Sequence, residues 1–210
     1  MVAKYPKLLA TLPSKESGVR YRLEGYLFPA TYGYGKDSKM EDLVDQMLAA
    51  MDQNLSAYYD TMEAKNIDVN EALTLASLIE KEGATDKDRK DIASVFYNRL
   101  NQDMPLQSNI AILYAQGQLG KKTTLKEDAT IDTNIDSPYN IYKNTGLMPG
   151  PVDSPGVSAI EAAVNPSKTD YLYFVANVET GEVYFAKTYE EHTKNVEEHV
   201  NSKLTESSSN

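Results

Sequence analysis

Apolar residues recur every three or four positions through the first half of the chain, which is the spacing of helices that bury one face. The longest such run begins at Met40 and predicts one helix that continues to about Lys65. Asp37 or Ser38 is the expected cap, because Glu41 stands three positions after Ser38 as in a capping box. We expect the methionines along this stripe to pack in the core rather than to contact a cofactor.

The same spacing predicts shorter helices further along the chain. They cover residues 71–82 after Asn70, 86–101 after Thr85, 109–116 after Ser108, 158–164, and 189–203 after Thr188. Residues 171–177 and 182–187 are rich in β-forming residues and lie on either side of a short stretch that contains Gly181, which predicts a β-hairpin. Residues 21–32 predict a further, irregular strand that bends at Gly25 and Pro29. Together these elements predict a single α+β domain, with helices packed on a small antiparallel sheet.

The stretch from residue 121 to residue 155 has little periodicity and is rich in Asp, Asn, Thr, Gly and Pro. Loops of this length in compact domains are usually functional or disordered. Apolar and aromatic residues in its second half, among them Tyr139, Tyr142 and Met148, give it side chains to pack with. We therefore predict an ordered loop that wraps a cleft.

Charge and composition exclude several classes of function. The 31 acidic residues against 21 basic ones give a net charge of -10, and no basic stripe appears, so nucleic acid is not an expected partner. There is no cysteine, which excludes disulfides and thiolate chemistry. His192 and His199 are the two histidines, too few for a convincing triad or histidine metal site. We expect no metal and no cofactor.

The two ends of the chain read as the borders of a longer protein. Residues 1–19 are expected to form a lead-in from a preceding region, residues 20–203 the folded domain, and residues 204–210 a disordered polar tail. No stretch approaches the roughly 18 apolar residues of a membrane span, and no signal peptide opens the chain. We interpret the sequence as an excised domain.

The helix predicted over residues 71–82 ends unusually, in two acids followed by Gly83. The C-terminal end of a helix carries partial negative charge, which should favour the protonated form of a carboxyl group there, as general-acid chemistry requires. Glu80 has small and partly polar helix neighbours that suit a cleft wall, whereas Glu82 lies over larger apolar ones. The alternative, two solvated surface glutamates, is the one that this local pattern alone favours.

Other residue types indicate a carbohydrate cleft. The 15 tyrosines, with no tryptophan, offer flat faces that can stack on sugar rings. Amide side chains that could bind sugar groups are Asn98, Gln107, Asn140 and Asn165. Arg99 is a candidate to hold a carboxylate or carbonyl-rich ligand, and a helix-capping or surface ion-pair role is equally open. Glu24 lies beside Gly25, where backbone can approach a ligand, although an ion pair with a nearby arginine is the alternative.

Eight short motifs follow one another along the chain. They are Leu23-Glu-Gly-Tyr-Leu-Phe-Pro29, Leu75-Ala-Ser-Leu-Ile-Glu-Lys-Glu82, Ala93-Ser-Val-Phe-Tyr-Asn-Arg-Leu100, Pro105-Leu-Gln-Ser108, Ser137-Pro-Tyr-Asn-Ile-Tyr142, Gly146-Leu-Met-Pro-Gly-Pro151, Ala159-Ile-Glu-Ala-Ala-Val-Asn-Pro166 and Tyr173-Phe-Val-Ala176. In this order, over about residues 20–199, they resemble the YceG-like family, the MltG endolytic murein transglycosylases.

The resemblance implies an enzyme that cuts the glycan strands of peptidoglycan internally. In the family a membrane helix and a LysM-like domain precede the catalytic domain, so the parent protein is expected to be anchored in the cell membrane with this domain on the extracytoplasmic side. The expected partners are peptidoglycan strands and cell-wall synthesis proteins.

The resemblance also separates the two acids. The family's catalytic glutamate is the first acid of its Glu-Lys-Glu motif, which falls on Glu80, while Glu82 would tune the field or hold structure. The residues expected to bind substrate are Glu24, Tyr26, Ser77, Asn98, Arg99, Gln107, Ser108, Asn140 and Tyr142. Two positions depart from the family pattern, since Asn109 stands where Asp is usual and Glu182-Val183 replaces a common histidine.

Two alternatives remain open at this point. One is a glycan hydrolase that uses Glu24 and Glu80 as paired carboxylates. Its products would be heavier by one water than the 1,6-anhydro ends that the resemblance implies. The other is a glycan-binding or scaffolding module without turnover, which would bind strands and cut none.

Overall fold

The structure is a computed structural model that describes residues 2–120, 130–177 and 180–202. Its helices are α1 (Met40–Leu55), α2 (Tyr59–Lys65), α3 (Val69–Glu82), α4 (Asp86–Leu100), α5 (Asn109–Ala115), α6 (Val157–Val164) and α7 (Tyr189–Val196), with a 3-10 turn at Lys15–Ser17 and a π-helical turn at Glu197–Asn201. The strands β1 (Tyr173–Ala176) and β2 (Val183–Ala186) pair antiparallel. The predicted α+β class is confirmed. None of the helices within the described residues is both long and apolar enough to span a bilayer.

The chain divides into two compact units. The first comprises Met1–Glu80 and Leu147–Asn165, and the second comprises Lys81–Gly146 and Pro166–Asn210. The predicted limits of the domain at residues 20 and 203 stay predictions. The predicted tail, residues 204–210, lies outside the described residues, as do residues 121–129 of the predicted loop.

In the first unit the residues before the 3-10 turn are packed against helix α1. Leu8 and Leu9 are buried, and the amide of Leu9 donates to the carbonyl of Tyr5 at 3.0 Å. The hydroxyl of Tyr5 donates to Asp45 Oδ1 at 3.0 Å, which fixes this turn to α1. The buried face of α1 carries Leu48, Met51 and Leu55. The predicted core packing of the methionines is confirmed for Met51 and Met62 and is wrong for Met40, which is 59% exposed.

The single helix predicted as far as Lys65 is wrong, because the chain breaks after Leu55 into α1 and α2. The hydroxyl of Ser56 donates to the carbonyl of Gln53 at 2.6 Å and so competes for an acceptor that the helix needs to continue. The predicted cap is also wrong. Ser38 Oγ accepts from the amide of Gly35 at 2.9 Å, and α1 begins after Lys39, which makes no side-chain cap bond.

Helix α3 begins two residues earlier than predicted, after Asp68 rather than after Asn70. Asp68 Oδ1 accepts from the amide of Glu71 at 2.8 Å, and Glu71 Oε2 accepts from the amide of Asp68 at 2.9 Å. This reciprocal pair is a capping box with aspartate as the cap, and it satisfies two amides of the first turn. Asn70 therefore lies inside the helix, where its side chain is available for tertiary contacts.

Residues 21–32 form turns and no strand, so the strand prediction is wrong. The amide of Tyr26 donates to the carbonyl of Leu23 at 3.1 Å, which closes a turn around Gly25. Gly25 has φ +79°, and a Cβ there would lie 2.4 Å from the side chain of Pro151. The close approach of Pro151 to Gly25 thus determines the backbone conformation of this stretch and outweighs its β propensity.

In the second unit the helices pack on the predicted hairpin. Phe174 pairs with Phe185 across β1 and β2, and the ring of Phe96 from α4 meets Phe174 edge-on at 5.8 Å. Helix α7 starts at the predicted cap, where Thr188 and Glu191 form a capping box. The chain leaves α-helical geometry after Val196, earlier than the predicted end of this helix.

The helices α4, α5 and α6 agree with their predicted bounds to within a residue or two, and Thr85 and Ser108 accept the expected capping hydrogen bonds. The described part of the predicted loop, residues 130–155, contains no helix or strand. Up to residue 146 it belongs to the second unit, and from residue 147 to the first.

Candidate active site

Glu80 lies in the last turn of α3, half-buried, with its carboxylate at the start of a second helix. Its Oε2 accepts a hydrogen bond of 3.1 Å from the amide of Gly156, the residue immediately before α6. The amide end of a helix carries partial positive charge, whereas the end of α3 carries partial negative charge. The carboxylate of Glu80 therefore lies at the C-terminal end of α3 and is hydrogen-bonded at the N-terminal end of α6.

The segment that contains Gly156 is fixed to α3 at three points. Asn70 Nδ2 donates to the carbonyl of Pro149 at 3.3 Å, and Ser77 Oγ accepts from the amide of Val152 at 3.0 Å. Glu80 makes the third contact. Positions 70, 77 and 80 are seven and three residues apart, so they share one face of the helix. The segment 149–156 is thus aligned along the face of α3 that carries Glu80.

Gly25 brings the turn at residues 21–26 against the same segment. A Cβ at Gly25 would lie 2.4 Å from Pro151 and 3.3 Å from the carbonyl oxygen of Asp153. Glu24, next to it, is half-buried. The hydroxyl of Tyr26 donates to Asn70 Oδ1 at 3.2 Å, and burial followed by the nearby Asp68 charge raises its pKa.

Four of the predicted site residues are therefore gathered in the first unit around segment 149–156, namely Glu24, Tyr26, Ser77 and Glu80. They differ in exposure. Tyr26 and Ser77 are fully buried, and Ser77 also donates to the carbonyl of Thr74 at 2.8 Å. The hydrogen bonds of Tyr26 and Ser77 hold the protein together around Glu80. Glu24 and Glu80 are each partly exposed to solvent.

Glu82 has its contacts in the second unit. Its Oε1 accepts from Ser108 Oγ at 2.5 Å, and Ser108 Oγ in turn accepts from the amide of Ile110 in the first turn of α5. Ser108 is buried, at 2% exposure. The second acid of the motif thus positions the N-terminus of α5 through a serine.

Arg99 is almost fully buried and binds four protein oxygens. Its Nε donates to the carbonyl of Leu172 at 2.6 Å, and one terminal nitrogen donates to the carbonyls of Pro105 and Leu106 and to Gln107 Oε1 at 3.0–3.1 Å. Burial lowers its pKa, an effect that Tyr173 and Tyr142 oppose. Arg99 thus connects Leu172, the residue before β1, to the stretch that carries Gln107.

Gln107 keeps exposed surface although its Oε1 accepts from Arg99. It is exposed, its φ is +57°, and its amide donates to the carbonyl of Ile141 at 3.0 Å. The left-handed backbone, which is uncommon outside glycine, is held by that bond and by the Arg99 contact.

Two predicted amide residues are engaged with backbone in the second unit. Asn98 Nδ2 donates to the carbonyls of Thr169 and Tyr171, both at 2.9 Å. Asn140, at 1% exposure, donates to the carbonyls of Thr133 and Ile135 at 3.0 and 2.7 Å. These amides order the chain leading to β1 and the loop at residues 133–142.

Tyr142 is half-buried, and its hydroxyl donates to Asn109 Oδ1 at 2.6 Å. Asn109 is one of the two positions that depart from the family pattern, and its amide oxygen accepts this hydrogen bond. Within the described residues, no group of three or more His, Cys, Asp or Glu side chains could hold a metal ion.

The model of the YceG-like family matches residues 3–198, nearly the whole chain. The chain belongs to the YceG-like family. Its relatives include a protein of Streptococcus pneumoniae (strain D39) named endolytic murein transglycosylase, which is 68% identical over 203 residues and is matched over 97% of this chain and 37% of the relative. A protein of the same name from Bacillus subtilis (strain 168) is 47% identical over 186 residues, 88% of this chain and 50% of the relative.

A solved structure agrees with these relatives. The crystal structure of a YceG-like protein from Listeria monocytogenes matches with a TM-score of 0.80 at 47% identity, over 92% of this chain and 61% of that one. The chain spans half or less of the length of the two YceG-like relatives named above. The predicted family is thereby confirmed.

Sequence reasoning missed Asn70 and Gly156 as part of the site. The sequence predicts Asn70 as a helix cap, and Gly156 acts through its backbone amide, so it has no side chain to indicate a role. The available signal is the predicted start of a helix after Gly156, because amides at helix starts can bind anions.

Proposed function

We propose that this domain is a lytic transglycosylase that cuts peptidoglycan strands internally, with Glu80 acting first as acid and then as base. The observation that carries the proposal is the hydrogen bond of 3.1 Å from the Gly156 amide to Glu80 Oε2. It holds one carboxylate oxygen in place, and positioning of the acid is what general acid–base catalysis requires. Further support comes from relatives that are named endolytic murein transglycosylases.

The proposed reaction needs one carboxyl group. Glu80, protonated on Oε1, donates its proton to the glycosidic oxygen between N-acetylmuramic acid and N-acetylglucosamine, and the bond from that oxygen to C1 breaks. The carboxylate then accepts the proton of the C6 hydroxyl of the same muramic acid as this oxygen attacks C1. The product has a 1,6-anhydro end, Glu80 is protonated again, and no water is consumed. Because the substrate supplies the nucleophile, the paired carboxylates of glycosidases are not required.

The remaining predicted site residues fall into two proposed groups. Glu24, Gln107 and Tyr142 keep exposed surface and are proposed to contact sugar or amide groups of the strand. The buried or bonded residues are proposed to act through their neighbours; they are Tyr26, Ser77, Asn98, Arg99, Ser108 and Asn140. Glu82 is proposed to belong with the second group, through its bond to Ser108.

The deciding experiment is product analysis on purified glycan strands with Glu80→Gln. Glutamine keeps an oxygen that can accept from Gly156 but cannot transfer the proton, so the rate should fall by about 10²–10⁴-fold. Glu82→Gln is the matched control and should retain more than about a tenth of the wild-type rate, since its proposed role is structural. Anhydro-ended fragments released by Glu80→Gln at the wild-type rate would overturn the assignment.

Mass spectrometry of these products, together with a binding measurement, distinguishes the alternatives. Products heavier by one water would indicate hydrolysis by Glu24 and Glu80, and strands that bind but stay intact would indicate a binding module. We also propose that the parent protein acts at the outer side of the cell membrane, where its substrate lies, beside proteins that synthesise the wall.

A further inference from the structure

A cavity of about 370 Å³ opens in the second unit between β2 and α7. Its volume falls in the range of small-molecule sites, roughly 300–1,000 Å³. None of the residues assigned above to acid–base chemistry or to its support lines it. Its wall has an aromatic part, from Tyr171 and Phe185, and a polar part, from Lys187, Glu191, Lys194 and Asn195.

The aromatic part is formed by two stacked rings. The rings of Tyr171 and Phe185 stack at 5.3 Å with 24° between their planes. Phe185 also contacts Phe174, which meets Phe96 in the core, so the pair is backed by further rings. Flat aromatic faces of this kind suit the apolar face of a sugar ring.

The polar part combines two lysines with one acid, Glu191. Lys187 and Lys194 line the cavity, and their partners are the exposed acids Asp170 at 3.0 Å and Glu198 at 3.6 Å. Exposed ion pairs of this type are weak and can exchange partners at little cost. Glu191 is committed elsewhere, since its Oε2 accepts from the amides of Lys187 and Thr188 at the start of α7.

We infer that this cavity is a second glycan subsite, which binds a sugar unit carrying a carboxylate, with its ring on Tyr171 and Phe185 and its carboxylate near Lys187 and Lys194. The inference rests on the proposed function, because a glycan strand supplies such units. The carboxylate has two sources, the stem peptide or, where the peptide has been removed, the lactyl group of muramic acid. A subsite of this kind raises affinity for long strands and leaves the chemical step unchanged.

The test measures binding to glycan strands in the Glu80→Gln background, so that cleavage does not interfere. The double variant Lys187→Met/Lys194→Met removes both charges and keeps most of the aliphatic volume. Its Kd for peptide-bearing strands should rise about 5-fold, as expected for two exposed charge contacts, and the salt dependence of Kd should flatten. The control, Lys168→Met, removes an exposed charge of the same unit outside the cavity and should leave Kd unchanged.

Three ligands distinguish the sources of the carboxylate. Lysine dependence with peptide-bearing strands alone assigns the stem peptide, and dependence with strands stripped by an amidase assigns the lactyl group. Oligomers of N-acetylglucosamine carry no carboxylate and should show no lysine dependence. The inference is overturned if the cavity variant binds both carboxylate ligands like the control, or if it loses affinity for the uncharged oligomer equally.

A second variant tests the aromatic part independently of charge. Tyr171→Ala should raise Kd for all three ligands by a similar factor, and a circular dichroism spectrum like that of the parent protein verifies folding. Unchanged affinity for all three would refute the stacking contact. Cleavage by the wild-type protein is measured separately. Strands left intact by the wild type would refute the proposed function, whereas Kd values unaltered in the cavity variants would refute the subsite.

Discussion

Gly25 is the position at which one added methyl group should act on the site most directly. Its φ of +79° is unfavourable for any residue with a Cβ, and the Cβ of an alanine would lie 2.4 Å from two side-chain atoms of Pro151. Real Cβ atoms do not approach other heavy atoms this closely, so either the turn or Pro151 must move. Pro151 belongs to segment 149–156, whose far end donates to Glu80.

Two other glycines separate the two costs. Gly146 has φ +84° but nothing within 4 Å of a built Cβ, so Gly146→Ala isolates the backbone strain, about 1–2 kcal/mol. Gly33 has neither a positive φ nor a near neighbour, so Gly33→Ala should change stability by less than about 0.5 kcal/mol. Gly25→Ala adds overpacking, typically a further 1–3 kcal/mol, to the strain. Its expected loss is therefore about 2–5 kcal/mol.

The assay is urea unfolding of the three variants beside the wild type, followed by glycan cleavage at a temperature where each is folded. We expect the order Gly33→Ala, Gly146→Ala, Gly25→Ala in rising loss of stability, and a reduced rate for Gly25→Ala alone, because the displaced segment no longer fixes Glu80. A Gly25→Ala protein as stable as Gly146→Ala would refute the close-packing argument. Full activity in a destabilised Gly25→Ala would refute the link from Pro151 to Glu80.

Further predictions concern single hydrogen bonds and one ion pair. Ser77→Ala leaves the buried amide of Val152 without its hydroxyl acceptor and should cost about 1–3 kcal/mol in urea unfolding, and an unchanged urea midpoint would contradict this role. Ser108→Ala removes the cap of α5 and should cost about 0.5–2 kcal/mol by the same measurement, and an unchanged midpoint would contradict the capping role. The hydrogen bond from Lys4 lowers the pKa of Asp45, so this carboxylate stabilises the fold above its unfolded pKa and the gain is lost as pH falls through the folded pKa. Asp45→Asn should therefore lower thermal stability at neutral pH and reduce the difference in melting temperature between neutral and acid solution.

The elements that the sequence predicted well are those whose signals are local. Thr85 and Thr188 cap α4 and α7 because side-chain acceptors lie within three residues of the amides that they satisfy. The hairpin follows from two runs of β-forming residues separated by a few positions. In contrast, the turn at Gly25 depends on a contact with Pro151, 126 positions away, which outweighs the β propensity of its neighbours.

The same distinction explains the candidate site. The sequence predicts that amide side chains bind sugar groups. Asn98 and Asn140 do donate hydrogen bonds through their side-chain amides. Their partners, however, are backbone carbonyls, and those of Asn98 are 71 and 73 positions away. A residue's type indicates which bonds it can form, whereas the fold decides whether a ligand or the chain itself receives them.

The two acids of α3 illustrate what the structure adds. A helical wheel distinguished Glu80 from Glu82 weakly, because both are polar residues in the last turn. Their hydrogen bonds differ in kind. Glu80 accepts from a backbone amide at a helix start, whereas Glu82 accepts from the hydroxyl that caps α5. A backbone amide can hold a carboxylate in place, and it does not give up its own proton. The hydroxyl of Ser108 caps α5, so its bond to Glu82 links that acid to the stability of the helix. Glu82→Gln should accordingly lower the free energy of unfolding and have little effect on the cleavage rate. Glu80→Gln should lower the cleavage rate and have little effect on the free energy of unfolding.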